Sequence, residues 1–179
     1  MKIIFLDIDG VLNAFNDFDE MFLEFQLTGV KRVVIDINKV LRLKEIIDKT
    51  GAKIVLISSW KKYLKRRGDT FITNNKNMQD IMDILNNNGI DIYDIAPSTL
   101  TSNREKEIRL WLKNKDVSNF IIIDDDAFTL ESFIGKELVK TDFIKLDETG
   151  RGVSSLSGLT DTHVEEAISK LNNKVLLKM

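Results

Sequence analysis

Acidic and hydroxyl side chains follow three short apolar runs of this chain. Asp7–Gly10 comes directly after the first run, Ser58 after the second, and Asp124–Asp126 after a later one. A single aspartate in such a place is often only a turn or cap residue, but two clusters in matching positions favour a common site. The chain holds 28 acidic residues, one histidine and no cysteine, and these counts exclude disulfides, thiol nucleophiles and multi-histidine metal sites. Carboxylate chemistry is therefore what the composition leaves available.

The chemistry typical of such a set is phosphoryl transfer. Several carboxylates in one place repel each other and need a cation, and hard oxygen ligands favour Mg²⁺. Asp7 is predicted to attack phosphorus as a nucleophile and form an aspartyl-phosphate. Asp9 is predicted to protonate the leaving oxygen and then to deprotonate water. Ser58 would hydrogen-bond a phosphoryl oxygen, and either Arg104 or Lys106, at the start of a predicted helix, would offset its charge.

The apolar runs that precede these residues are continuous rather than alternating. That pattern is typical of parallel strands that are buried on both faces of a sheet. The clearest candidates are Ile3–Leu6, Ile54–Ile57 and Phe120–Ile123, with weaker ones at Ile90–Ala96 and Phe143–Leu146.

Helical patterns lie between the strands. The predicted helices run from a cap at Asp36 to Gly51, over Met78–Asn88, over Asn103–Asn114, and from Thr160 or Thr162, where Thr162 with Glu165 fits a capping box. The alternation predicts an α/β fold of three layers, a parallel sheet of about five strands with helices on both faces. Ligands bind beyond the carboxyl ends of such strands, so we expect the acidic clusters and Ser58 to meet at one edge.

Residues 13–35 break this alternation. Phe15, Phe18, Phe22 and Phe25 recur at spacings of three and four, which predicts a short helical turn, and the stretch from Phe25 to Ile35 predicts a small hairpin flap. The chain has one proline, Pro97, and no linker, so residues 1–179 are predicted to form a single domain. No apolar run reaches the roughly 20 residues of a membrane span, and the acid at position 7 argues against a signal peptide, so we expect a cytoplasmic protein.

Three of these segments resemble motifs of the haloacid dehalogenase-like (HAD) hydrolases. Phe5–Asn13 closely resembles the first HAD motif, Ile54–Ser58 resembles the second, and Phe120–Asp125 resembles the fourth in its double-aspartate form. The three occur in the family's order, and the resemblance implies a Rossmann-like HAD fold of the phosphatase branch.

The resemblance also implies roles for individual residues. Asp7 is the nucleophile and Asp9 the general acid/base. Magnesium is held by the side chain of Asp7, the backbone carbonyl of Asp9 and the side chain of Asp124, with Asp125 as a second acid.

The third HAD motif usually places a lysine at a helix start. Arg104 has the better spacing, because Glu107, Ile108 and Trp111 follow it as in the motif, whereas Lys106 is the usual residue type two positions later. We favour Arg104. This segment, Ser58-Ser59-Trp60 and Ser157–Thr160 are similar to a small HAD group found in RNA-repair proteins.

HAD enzymes select substrates largely through cap insertions. The gaps at residues 13–35 and 97–103 are too short for a large cap, so we expect a capless enzyme whose open site admits large substrates. Net charge is −2, so no global basic field points to nucleic acid. A local basic cluster nevertheless follows Ser58, and it could track the phosphates of a nucleic-acid end; its members are Lys61, Lys62, Lys65, Arg66 and Arg67.

The simpler interpretation of the basic cluster is a solvated helix face, and that of Trp60 is a core residue rather than a base-stacking platform. The function that fits best is a Mg²⁺-dependent phosphomonoesterase acting on a nucleotide or a nucleic-acid terminal phosphate. The alternatives are a small-metabolite phosphatase and, from other classes, a phospho-receiver domain, an acidic-cluster nuclease or a binding module without activity. A receiver carries its aspartate on a middle strand, whereas Asp7 follows the first.

Overall fold

A five-stranded parallel sheet in the order β5-β2-β1-β6-β7 lies at the centre of the protein. The computed structural model describes residues 1–14, 23, 26, 27, 29 and 33–173. The strands are β1 (Lys2–Leu6), β2 (Lys53–Leu56), β3 (Lys65–Arg67), β4 (Thr70–Ile72), β5 (Ile92–Ile95), β6 (Asn119–Asp124) and β7 (Leu138–Lys140). The helices are α1 (Ile37–Thr50), α2 (Lys76–Asn87), α3 (Arg104–Leu112) and α4 (Asp161–Asn172).

Helices cover both faces of the sheet. Ile4 and Leu6 of β1 point into a core shared with α1, α2 and α4, whereas Ile3 and Phe5 point into a core that α3 covers. Successive side chains of a strand point to opposite faces, so a strand buried on both must be apolar throughout. The prediction of a three-layer α/β fold with about five parallel strands is confirmed.

One strand of the central sheet was predicted in the wrong place, and burial explains why. The fifth strand is Leu138–Lys140, where Leu138 and Val139 are buried, and not Phe143–Leu146. Ile144 and Leu146 are about half exposed, so a strand there would leave its apolar side chains in water. The segment that contains them forms only isolated bridges to Gly152 and Gly158.

The last helix begins at Thr160, the first of its two predicted start residues and two positions before the predicted capping box. Thr160 is the N-cap of α4, and its backbone N–H donates to His163 Nδ1 at 3.1 Å. The predicted box of Thr162 and Glu165 was therefore wrong, and His163 is a cap residue.

The region of the predicted flap is described only in part. Phe15, Phe18, Phe22 and Phe25 lie outside the described residues, whereas Val33 and Ile35 pack against the core under α1. An antiparallel hairpin occurs elsewhere, where β3 pairs with β4. In the described part of the chain, no helix has the length and apolar character needed to cross a bilayer.

Candidate active site

The ends of β1, β2 and β6 bring three polar side chains to one edge of the sheet. β1 lies between the other two, with Leu6 opposite both Leu56 and Ile123. The backbone N–H of Asp7 donates to the carbonyl of Ile123 at 3.0 Å, which continues the ladder by one residue. Asp7, Ser58 and Asp124 are each at most 2% exposed. The parallel topology therefore places these residues side by side beneath the surface.

Three carboxylates form a cluster at this edge. Asp7, Asp124 and Asp125 each offer one oxygen, and these oxygens lie within 4.8 Å of one another. Asp7 Oδ1 is buried and has no hydrogen-bond partner among the described residues. A buried acceptor without a donor is costly unless a ligand satisfies it. Hard oxygen donors this close fit a small divalent cation such as Mg²⁺.

Burial and mutual repulsion raise the pKa values of these carboxyl groups. Loss of hydration raises the pKa of Asp7, while the Arg104 guanidinium and the Ser58 hydroxyl act in the opposite direction. Burial, followed by the charge of Asp7, raises the pKa of Asp124 to about 7 and that of Asp125 to about 6. Without a cation, each of these carboxyl groups therefore binds its proton more tightly than an ordinary aspartate does.

Arg104 is the first residue of α3 and reaches into this cluster. Its Nη2 lies 3.0 Å from Asp7 Oδ2, and its Nη1 contacts both carboxylate oxygens of Asp124. Burial acts to lower the pKa of Arg104, but the charges of Asp7 and Asp124 outweigh it and the pKa is raised. Lys106 lies on the exposed side of α3, where its backbone N–H donates to Asn103 Oδ1 at 2.9 Å. Of the two sequence candidates, only Arg104 contacts these carboxylates in the described structure.

Two donors hold the carboxylate of Asp9. Asn13 Nδ2 donates to Asp9 Oδ1 at 3.1 Å, and Trp60 Nε1 donates to Asp9 Oδ2 at 3.0 Å. Asn13 Oδ1 in turn accepts the backbone N–H of Gly10 at 3.0 Å, so the turn after β1 is closed by its own side chain. Neither hydrogen bond to Asp9 was predicted from the sequence, although Asn13 ends the segment that resembles the first motif and Trp60 closely follows the segment that resembles the second.

Gly10 provides the space in which Asp125 lies. Its φ is +73°, and a Cβ at this position would stand 2.3 Å from Asp125 Cγ. Any side chain here would be strained by the positive φ and would displace Asp125 from the cluster.

A 3₁₀ turn, Ser59–Tyr63, follows β2 and joins the site to α3. Lys61 on this turn forms an ion pair with Glu107 of α3, and the two side chains are 6% and 4% exposed. Glu107 Oε1 also accepts the backbone N–H of Thr99 at 2.8 Å. The turn therefore fixes the helix whose first residue contacts Asp7.

The five basic residues predicted to form one cluster after Ser58 lie in different surroundings in the structure. Lys61 points into the protein toward Glu107, so its assignment to a basic surface was wrong. Arg66 pairs with Asp94. The predicted helix face was also wrong, because the segment forms the 3₁₀ turn and the β3–β4 hairpin. The exposed basic residues that remain without an acidic partner among the described residues are Lys62, Lys65 and Arg67.

Comparison with known protein families supports this arrangement. Residues 3–147 match the model of the HAD domain in Swiss Army Knife RNA repair proteins, and this range contains every residue of the site described above. No curated protein and no solved structure matches the chain. The match spans most of the chain and agrees with the parallel sheet and the aspartates at its edge, so the protein belongs to the family of HAD domains found in Swiss Army Knife RNA repair proteins.

Proposed function

We propose that this HAD-type hydrolase is a Mg²⁺-dependent phosphomonoesterase that works through an aspartyl-phosphate on Asp7. The observation that carries the proposal is the state of the Asp7 carboxylate. Arg104 contacts Oδ2, whereas Oδ1 is buried and has no partner among the described residues. A carboxylate that is held at one oxygen, and whose other oxygen has no hydrogen-bond donor, is suited to attack an incoming electrophile.

The side chains of Asp7 and Asp124 and the backbone carbonyl of Asp9 would hold Mg²⁺, with Asp125 beside them. When bound, the cation neutralises the charge of the carboxylates and of the phosphate oxygens. The rest of the catalysis is positioning and electrostatic stabilisation by the chain's own residues, as phosphoryl transfer requires.

The proposed reaction has two steps. In the first, an oxygen of Asp7 bonds to phosphorus, the bond to the leaving oxygen breaks, and Asp9 gives that oxygen a proton. In the second, Asp9 takes a proton from water, the water oxygen attacks phosphorus, and the bond to Asp7 breaks to release inorganic phosphate. Ser58 would donate to a phosphoryl oxygen, and Arg104 would hold Asp7 and offset the negative charge of the transferred group.

We further propose that the substrate is a nucleotide or a nucleic-acid terminal phosphate. Two features of the segment that follows Ser58 support this choice. Lys62, Lys65 and Arg67 are exposed directly after the Ser58 strand, and such residues attract phosphates. Trp60 and Tyr63 are partly exposed with ring centroids 5.8 Å apart, and aromatic faces stack on bases.

A substrate panel with Mg²⁺ tests both levels of the proposal. Oligonucleotides with 3′- or 5′-phosphates are compared with mononucleotides and sugar phosphates, and a preference for sugar phosphates would indicate a small-metabolite phosphatase. Asp7→Asn is expected to lower turnover at least about 10³-fold and to abolish a hydroxylamine-sensitive phosphate label. Asp83→Asn, an exposed aspartate on α2, serves as the control. Turnover by the Asp7→Asn variant at the wild-type rate would overturn the mechanism, and cleavage of unphosphorylated internal bonds would indicate a nuclease.

A further inference from the structure

Asp9 is held from two sides, and the second contact comes from the N–H of Trp60, whose ring face is proposed above to stack on a base. Each oxygen of its carboxylate accepts one hydrogen bond, Oδ1 from Asn13 and Oδ2 from the indole of Trp60. A partly exposed aspartate normally moves between rotamers. Two donors on the two oxygens restrict both the rotamer and the rotation of the carboxylate plane.

Trp60 is itself fixed on the side of β2. Its backbone N–H donates to Ser58 Oγ at 3.4 Å, and its ring packs on the core under α1 and beside Tyr63. The indole has a single N–H on a rigid ring, so its direction is set once the ring is packed. Trp60 thus links Ser58, at the end of β2, to Asp9, which lies 51 residues away from Trp60 in the sequence.

We propose that Trp60 is a positioning residue for the general acid/base, holding the Asp9 carboxyl where it can reach the leaving oxygen. The inference rests on the function proposed above, because it takes Asp9 to be the proton donor. A general acid contributes only when it lies within hydrogen-bond distance of the proton acceptor. Loss of the indole N–H would leave Asp9 in place but free to turn away on its remaining contact with Asn13.

Positioning of an acid has a kinetic signature that a merely structural role lacks. An alkyl phosphate has a poor leaving group and needs the proton, whereas p-nitrophenyl phosphate releases a stable anion and needs it little. General acid catalysis is worth about 10²–10⁴-fold, so loss of one of two positioning contacts should cost about 10-fold in kcat/KM on the alkyl phosphate. The comparison uses kcat/KM because this constant reports the step that forms the aspartyl-phosphate, whereas kcat also includes its hydrolysis, in which Asp9 acts as the base for both substrates. The cost on p-nitrophenyl phosphate should stay below about 3-fold, since the proton is not required there.

The experiment compares Trp60→Phe with Trp111→Phe on p-nitrophenyl phosphate and on the best alkyl phosphate of the substrate panel. Trp111 is a matched control, because its Nε1 also donates to an aspartate, Asp94 Oδ2 at 2.8 Å, but on the core side of α3. Asp9→Asn and the double variant Asp9→Asn/Trp60→Phe complete a cycle. Thermal unfolding of each variant monitors the fold.

Trp60→Phe is expected to lower kcat/KM selectively on the alkyl phosphate, and Trp111→Phe is expected to leave the ratio of the two kcat/KM values unchanged. Trp60→Phe should have no further effect on kcat/KM when Asp9 is already Asn. Equal losses of kcat/KM on both substrates, or losses of kcat/KM that add to those of Asp9→Asn, would overturn the inference while leaving the proposed function intact. A wild-type protein that hydrolyses neither substrate would overturn the proposed function and this inference with it. If Trp60→Phe unfolds, 3-benzothienylalanine at position 60 in the Trp111→Phe background keeps the ring shape, removes only the N–H and gives the same comparison.

Discussion

The buried ion pair between Lys61 and Glu107 gives the sharpest test of how the site is built. The Lys61 ammonium contacts the Glu107 carboxylate, and both side chains are almost fully buried. Glu107 also accepts the backbone N–H of Thr99. Lys61→Met would keep the length and apolar stem of the lysine but leave the Glu107 charge buried beside neutral donors alone, the backbone N–H and the hydroxyl of Thr99.

The expected loss of stability follows from the burial. Removal of one partner of a buried pair costs about 3–5 kcal/mol, because the other charge loses its compensation. In a protein of this size 1 kcal/mol corresponds to about 2–4 °C, so Tm should fall by about 6–20 °C. The double variant Lys61→Met/Glu107→Gln removes both charges and keeps an acceptor for Thr99. It should regain the larger part of that loss, since neutral replacements of a buried pair are often tolerated.

Urea and thermal unfolding measure these differences, with Lys62→Met as the control. Lys62 is the exposed neighbour of Lys61, and its replacement should change the free energy of unfolding by no more than about 0.5 kcal/mol. In oligonucleotide binding, Lys62→Met should lower the salt slope by about 1, whereas the double variant at the buried pair should leave it unchanged. If Lys61→Met is as stable as the wild type and also reduces the salt slope of oligonucleotide binding, this reasoning is refuted. Lys61 would then belong to the exposed basic residues that bind phosphates.

Four further outcomes are expected. Gly10→Ala should lower the free energy of unfolding by about 1–2 kcal/mol through its positive φ, and it should weaken Mg²⁺ binding in a calorimetric titration because a Cβ would displace Asp125. Arg104→Ala should reduce kcat strongly and Lys106→Ala should not, since only Arg104 contacts the cluster; similar losses in the two variants would contradict the assignment. Mg²⁺ should raise Tm by mass action and EDTA should lower Tm and remove activity; full activity after rigorous metal removal would exclude the cation. Burial lowers the pKa of His163 below 6.5, so the folded protein binds this proton less tightly than the unfolded chain, and the stability that His163 contributes is present above pH 6.5 and lost as pH falls through the folded pKa. The chain has one histidine, so a single NMR titration checks this directly, and a midpoint at or above 6.5 contradicts it.

The sheet and the meeting of the acidic clusters could be predicted because they depend on local patterns. Buried parallel strands must be apolar throughout, which marks β1, β2 and β6 in the sequence, and parallel topology then brings Asp7, Ser58 and Asp124 together. β7 could not be predicted from the sequence, because it contributes only two buried apolar residues, Leu138 and Val139. So short a run falls below the length at which a strand is distinguishable from a loop.

The direction of Lys61 could not be predicted, because nothing near it in the sequence decides it. Five basic residues within seven positions are typical of a solvated surface, and the partner that turns Lys61 inward lies 46 residues later. The same holds for Trp60, whose apolar ring suggests a core position but whose N–H is used 51 residues away at Asp9. Partner choice over such separations depends on how the strands and helices pack, which a single sequence does not reveal.

The segment from Ser58 to Lys61 therefore has a larger part in the site than its one predicted contact with phosphate. The Ser58 hydroxyl acts to lower the pKa of the Asp7 carboxyl, and the Trp60 N–H donates to Asp9. Lys61 pairs with Glu107 on the helix that begins with Arg104. Asp7, Asp9 and the helix that begins with Arg104 are therefore all positioned by one short segment, which directly follows β2 of the central sheet. Phosphoryl transfer depends mainly on the mutual placement of such groups, so a change in this one segment should disturb all three together.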